Sequence, residues 1–309
     1  MELCVIIPTH NPNRERLHRA LAGLCAQTLS ATQWEVIVVD NASIPPLDTS
    51  ALAGASRLNL RIVREAQLGL THARQRGFAE ARGKFAVLVD DDNVLAPDYL
   101  AKVLTLFAAY PHLGALGGRS LPEFEISPPA WVREFDGLLA CRDLGDRTRI
   151  SAGLWDTGQQ RNAYPLFAPI GAGMALRRAA IEAWLTDTLS ARISDRKGSE
   201  LTSGGDNDIV FTLMKAGWEV GYFPELSLTH LIPAGRLEPS YLSRLNRGIQ
   251  KSWMQVLTRH EANPWPPLTP GGAALRKLKA WFSSRAWSSP TARIRWQGTC
   301  GHFDGRVPT

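Results

Sequence analysis

The chain has 309 residues, 44% of them hydrophobic and 21% charged, an ordinary balance for a globular protein of one large α/β domain with an appendage, or of two small domains. Its four cysteines, Cys4, Cys25, Cys141 and Cys300, are widely spaced and form no CxxC pair, which excludes a zinc ribbon or a disulfide framework. The formal charge of +6 favours anionic partners, and charge alone does not choose among nucleotides, lipid headgroups and acidic saccharides.

In chain order, four apolar, β-branched runs read as strands: CVIIP at 4–8, WEVIVVD at 34–40, LRIVRE at 60–65 and KFAVLVD at 84–90. Helix-period stretches lie between them, around 14–28 and 71–82. This alternation predicts right-handed crossovers and a mostly parallel sheet, which places ligands at the carboxyl ends of its strands. Polar residues gather at those ends: Thr9 and Asn11, then Asp40 and Asn41, then Asp90 to Asn93. The last group matters most, because three adjacent carboxylates repel one another and add little to stability. Hard oxygen donors in that position suit Mg²⁺ or Mn²⁺ together with phosphate. A solvated acidic turn ahead of a helix is the plain alternative.

The stretch at 119–170, rich in Pro, Gly, Trp and Arg, is expected to be loops with a few short elements. PIGAGMALRRAAIEAWL at 169–185 predicts a strand and then a helix. GGDNDIVFTLMKAGWEVGYFP at 204–224 predicts a helix and then a strand, with His230 soon after. From about 236 the pattern turns helical again, interrupted by the Pro-rich break at 263–272.

Taken together, VIIPTHN, EVIVVDNAS, GLTHARQRG, VLVDDDN, GAGMALRR, GGDNDIVFTLMKAGW and LTHLIP resemble, in order and spacing, family 2 glycosyltransferases across residues 4–233. The resemblance implies the α/β GT-A fold, a Rossmann-like nucleotide-diphospho-sugar transferase with a mostly parallel central sheet. It implies a catalytic domain over 1–235, with a nucleotide-sugar-binding half at 1–118 and an acceptor and catalytic half at 119–235. A helical C-terminal extension, a membrane-surface or lid segment, would follow at 236–309. The implied reaction moves a sugar, with inversion, from a nucleotide-diphosphate sugar to a glycan or lipid-linked acceptor.

Site residues follow from the same resemblance. Thr9 offers its hydroxyl and backbone to the nucleotide, Asp40 accepts a hydrogen bond from the base, and Arg74 reaches base and pyrophosphate. Asp90, with Asp91 beside it, holds sugar and ribose, while Asp92 and His230 hold the divalent metal, Mn²⁺ or Mg²⁺. Asp206 is the general base, since inversion needs one carboxylate to take the acceptor hydroxyl's proton. Gly205 departs from the family pattern, which usually has Glu there. Asp208 supports the site or caps its helix, and Trp131 and Trp155 are candidate platforms for stacking sugars. Arg177 and Arg178 read better as the surface of a helix than as phosphate ligands.

The tail AALRKLKAWF sets Ala274, Leu275, Leu278, Trp281 and Phe282 on one helical face, flanked by Arg276, Lys277 and Lys279. This predicts peripheral attachment to a membrane, or packing against the catalytic domain. The N-terminal apolar run is too short for a signal peptide, so the expected location is the cytoplasm or the inner face of the cell membrane. Two other functions share some of these features: a nucleotidyltransferase activating a sugar phosphate, and a non-catalytic glycan-binding relative. A Gly-rich basic loop after the first strand is missing, which argues against the former. Nucleic acid is not an expected partner, because no RNA-binding signature accompanies the positive charge.

Overall fold

The computed structural model describes residues 1–48, 52, 54–151, 153–156, 160–187 and 201–308. Strand alternation builds its centre. Along β1 (Leu3–Thr9), Cys4 and Ile6 enter one apolar cluster while Leu3, Val5 and Ile7 enter another on the opposite face. Strand β2 (Trp34–Asn41) does the same, with Ile37 and Val39 on the first face and Val36 and Val38 on the second. Each such buried aliphatic side chain contributes about 1.5–3 kcal/mol. A one-residue slip would exchange the two faces along the whole strand, so the register is tightly held.

Strands β3 (Leu60–Glu65), β2, β1 and β4 (Phe85–Leu88) run parallel in that spatial order. Helices α1 (Arg14–Cys25) and α3 (Tyr99–Ala109) cover one face through Leu17, Leu21, Tyr99 and Val103. Helices α2 (Leu70–Glu80), α4 (Arg178–Thr186) and α5 (Gly205–Lys215) cover the other through Phe78, Trp184 and Ile209. The sheet then becomes mixed. Strand β10 (Ala175–Arg177) runs antiparallel between β4 and β6 (Leu113–Phe124), and β11 (Glu219–Ile232) is parallel to β6. The short strands β5 (Asn93–Leu95) and β7 (Arg149–Ser151) add antiparallel to β11. A separate two-stranded piece pairs β8 (Trp155–Asp156) with β9 (Arg161–Asn162).

The middle of the chain carries more order than its composition predicts. Strand β6 continues to Phe124, well into the stretch expected to be loops, because β11 supplies partners as far as Ile232. A shift of register between Tyr222 and Ser227, around Pro224, bends β11 without ending it. Beyond β6, a run of 3₁₀ turns occupies Ala130–Leu139. Residues 152 and 157–159 of this stretch lie outside the described residues.

The C-terminal region is helical, as expected. Helices α6 (Pro239–Arg259), α7 (Pro270–Ser283) and α8 (Pro290–Asp304) each open on a proline, which lacks an N–H the first turn would leave without a partner. Leu242 and Leu245 of α6 and Ile294 of α8 share an apolar cluster with Val132, Phe135 and Ile232. Asp304 draws the three helices together, meeting Arg247 at 2.7 Å and Lys277 at 2.6 Å. Among the described residues no helix is long and apolar enough to cross a membrane.

Candidate active site

The carboxyl ends of the parallel strands open onto a cavity of about 420 Å³. Seven of the expected site residues line it: Thr9, Arg74, Asp90, Asp91, Asp92, Asp206 and His230. They come from five separate places in the chain, so only the fold brings them together.

Asp40, one residue before the end of β2, lies opposite Thr9 but is not among the lining residues. A left-handed turn at Ala42, φ 56°, swings the chain off β2. The Asp40 carboxylate then accepts from the Ser43 and Leu47 amides at 3.1 and 3.2 Å and pairs with Arg64 at 2.9 Å. Burial works against ionisation of Asp40, but these hydrogen bonds and Arg64 outweigh it and hold its pKa below the usual carboxylate range. At this edge the cavity is lined instead by His10 and Asn41. Asn41 also positions α2: its side chain donates to the Gln67 carbonyl at 2.8 Å and accepts from the Gly69 amide at 2.8 Å. Gly69 has φ 143°, a conformation that side chains strain to adopt, and it starts the helix that carries buried Arg74 to the cavity.

The acidic run sits just beyond β4. Thr9 Oγ1 donates to Asp91, whose pKa is pushed up to about 6 by burial and by the charges of Asp92 and Asp90. Asp92 is buried, and its carbonyl accepts from the Leu231 amide at 2.9 Å where β5 pairs with β11. That pairing sets His230 opposite Asn93 and brings His230 Nε2 to 3.4 Å from Asp92 Oδ1. The two atoms differ by more than 130 positions in sequence yet converge, and a carboxylate with an imidazole is a suitable donor pair for Mn²⁺. Among the described residues no group of three or more His, Cys, Asp or Glu side chains forms a fuller cluster. Two protein donors suit a cation whose remaining ligands are phosphates and waters. The residues present therefore fit a divalent cation.

One cavity residue that the sequence reading passed over is Arg236. It lies on a single 3₁₀ turn, Ala234–Leu237, directly after β11. Its guanidinium reaches Asp92 Oδ2 at 2.9 Å and His230 Nε2 at 3.1 Å. Burial opposes its charge, but Asp92, Asp90 and Asp91 outweigh that and raise its pKa. The Arg236 amide donates to the Pro233 carbonyl at 2.9 Å, which turns the chain back toward the strand it has just left.

Asp206 stands in the first turn of α5, where the macrodipole favours a carboxylate. Its Oδ2 accepts from the Gly171 amide at 3.0 Å and its Oδ1 from the Asn207 amide at 2.9 Å. Each oxygen keeps a second lone pair for an incoming hydroxyl proton. A Cβ at 171 would lie 2.5 Å from Arg74 Nη2, so any side chain there would have to move the guanidinium. Asp208, two positions on, points into the interior and not into the cavity. It accepts from Trp184 Nε1 at 2.8 Å and meets His260 Nε2 at 2.8 Å and Arg259 Nη1 at 3.2 Å, joining α4, α5 and α6. Arg177 donates to the Leu113 and Phe107 carbonyls and Arg178 to that of Ala81, so both tie the end of β10 to its surroundings. Trp131 packs against Phe135 in the C-terminal cluster, whereas Trp155 is exposed.

This arrangement of sheet and cavity is the GT-A fold of glycosyltransferases. The mannosyltransferase PcManGT from Pyrobaculum calidifontis, in complex with GDP-Man and Mn²⁺, superposes with a TM-score of 0.59 over 98% of this chain and 87% of that one, at 19% identity. Residues 1–349 of S. aureus TarS, in complex with UDP-GlcNAc, give 0.55 over 98% and 90% at 15% identity. The profile of glycosyl transferase family 2 matches residues 4–185, and the chain belongs to that family. Among curated relatives, the succinoglycan biosynthesis protein ExoW of Rhizobium meliloti is 33% identical over 103 residues, 32% of each chain. An N-acetylglucosaminyltransferase of Azorhizobium caulinodans is 23% identical over 237 residues, 75% of this chain and 55% of that protein. The chain thus spans between 12% and 55% of the length of the first curated relatives it matches.

Proposed function

We propose that this chain is an inverting glycosyltransferase. It moves a sugar from a nucleotide-diphosphate sugar to a hydroxyl of a glycan or lipid-linked acceptor. The observation that carries this reading is the convergence of Asp206 with Asp90, Asp91 and Asp92 on one cavity at the carboxyl ends of the parallel strands. Asp206 takes the acceptor hydroxyl's proton as that oxygen bonds to the anomeric carbon. The bond from that carbon to the diphosphate oxygen breaks, and the nucleoside diphosphate leaves with its electron pair. Asp92 and His230 would hold a divalent cation, Mn²⁺ or Mg²⁺, which when bound supplies neutralising charge for the diphosphate. Arg74, buried beside Gly171, supplies a fixed positive charge to the same cavity. Thr9 holds Asp91 in place, and Asp90 faces the sugar and ribose. For Asp40 the hydrogen bonds to Ser43 and Leu47 support a role in shaping the base-side loop.

The neighbours with GDP-Man and Mn²⁺ and with UDP-GlcNAc support a nucleotide-sugar donor for this fold. The direct test is thermal unfolding against UDP, GDP, TDP and CMP, each with and without Mn²⁺. One nucleotide at a hundredfold excess over its dissociation constant is expected to stabilise the protein by about 2.7 kcal/mol, and only with the cation. No stabilisation by any of them would overturn the donor site.

We propose further that the chain attaches to the surface of a membrane, at its cytoplasmic face. On α7, Leu275, Leu278 and Phe282 are exposed, and Trp287 lies beside them, packed against Phe282 with ring centres 6.0 Å apart. Arg276 and Lys279 flank this strip in solvent, while Lys277 is paired with Asp304 inside the extension. Apolar residues bounded by basic ones match an anionic lipid surface. Removing the whole tail would take α8 from its seat on α6, so point changes are the better test. Replacing Leu275, Phe282 and Trp287 with Ser is expected to abolish co-sedimentation with phosphatidylglycerol vesicles without lowering the melting temperature. Unchanged sedimentation would remove the membrane from the account.

A further inference from the structure

We propose that Arg236 is a built-in occupant of the cation site, one that a divalent ion must displace from Asp92 and His230. The inference rests on the reading of Asp92 and His230 as the cation's holders. Its basis is what a guanidinium chemically requires. Arginine has five N–H donors and no acceptor, so the 3.1 Å contact from Arg236 Nη1 needs a lone pair on His230 Nε2. His230 is then the tautomer protonated on Nδ1. The Asp92 carboxylate oxygen 3.4 Å away also presents lone pairs, and two such atoms repel unless something positive faces both. Arg236 does so, with Nη2 on Asp92 Oδ2 at 2.9 Å. Asn93 Nδ2 donates to Asp92 Oδ1 at 3.1 Å and helps fix the carboxylate.

These are the same protonation states and the same converging lone pairs that a divalent cation needs. Arg236 therefore keeps both donors ready and aligned, and excludes the ion by like charge as long as it stays. A divalent ion beside the guanidinium meets twice the repulsion that a single positive charge would meet at the same distance. The guanidinium has somewhere to go. It hangs from a one-turn 3₁₀ segment, held by the Ala234 amide on Glu125 Oε2 at 2.8 Å, and it lines the cavity that takes the diphosphate. Released from Asp92, it finds an anion there. A planar donor fork matches phosphate oxygens in pairs. Cation and donor thus bind cooperatively: the diphosphate accepts the arginine that the cation displaces.

The test measures Mn²⁺ binding by electron paramagnetic resonance of the free ion, with no nucleotide present. Arg236→Met, close in volume and uncharged, is expected to bind Mn²⁺ at least about tenfold more tightly than the wild type. Addition of a nucleoside diphosphate should tighten Mn²⁺ binding strongly in the wild type and far less in the variant. Equal or weaker Mn²⁺ binding by a folded Arg236→Met overturns the proposal. Because that variant takes the guanidinium from a buried carboxylate, the wild-type protein carries a second test. In crystals soaked with Mn²⁺ and nucleoside diphosphate, the guanidinium is expected off Asp92, and an ion on Asp92 with Arg236 still at 2.9 Å overturns displacement. Sugar transfer assayed on the same wild-type preparation separates the two readings. Transfer that persists while both binding results fail removes the displacement and leaves the proposed function standing.

Discussion

Asp206→Asn is expected to lower sugar transfer by about 10²- to 10⁴-fold while leaving nucleoside-diphosphate affinity within about threefold, the usual contribution of a positioned base. The amide keeps the carboxylate's shape but takes no proton. The change is not structurally silent. Asp206 accepts from two backbone amides, Gly171 and Asn207, and an asparagine presents only one acceptor oxygen. One of those bonds is lost, at a cost of about 1 kcal/mol. Steady-state transfer, nucleotide titration and a melt on the same preparation separate the effects. Transfer within tenfold of wild type at an unchanged melting temperature would place the base elsewhere.

The second large effect concerns stability and lies two residues away. Asp208→Ala is expected to reduce the free energy of unfolding by about 3–5 kcal/mol, the range for removing one partner of a buried charged network. Asp208 is 1% exposed, and its removal strands the Trp184 indole N–H and the His260 ring. Arg259, which also pairs with Asp187, keeps one partner, so the loss should fall short of a complete collapse. Urea unfolding measures this, and a loss below about 1 kcal/mol would show that the network is not what joins α4, α5 and α6. The neighbouring acids thus divide by direction: Asp206 faces the cavity and Asp208 the interior.

That division shows what could be read from the chain and what could not. The parallel strands, their helices and the acidic run after β4 were legible because their signals are local. Alternating apolar residues select a strand, a 3.6-residue period selects a helix, and adjacent carboxylates at a strand's end stand out by charge alone. The family pattern added Arg74, Asp206 and His230, and the fold gathers all three onto one cavity. Three things depended on contacts made across long sequence separations. Strand β6 reaches Phe124 because β11 pairs with it, and nothing in RSLPEF announces a strand. Asp40 lies off the cavity lining because a left-handed turn at Ala42 brings the Ser43 and Leu47 amides and Arg64 to its carboxylate. Arg236 meets Asp92 because β5 pairs with β11, which fixes where the chain turns after Ile232. The sequence by itself determined which elements form and which chemical groups sit at their ends. The tertiary structure decided which of those groups face one another, because pairing and charge compensation between distant segments leave no periodic trace in either.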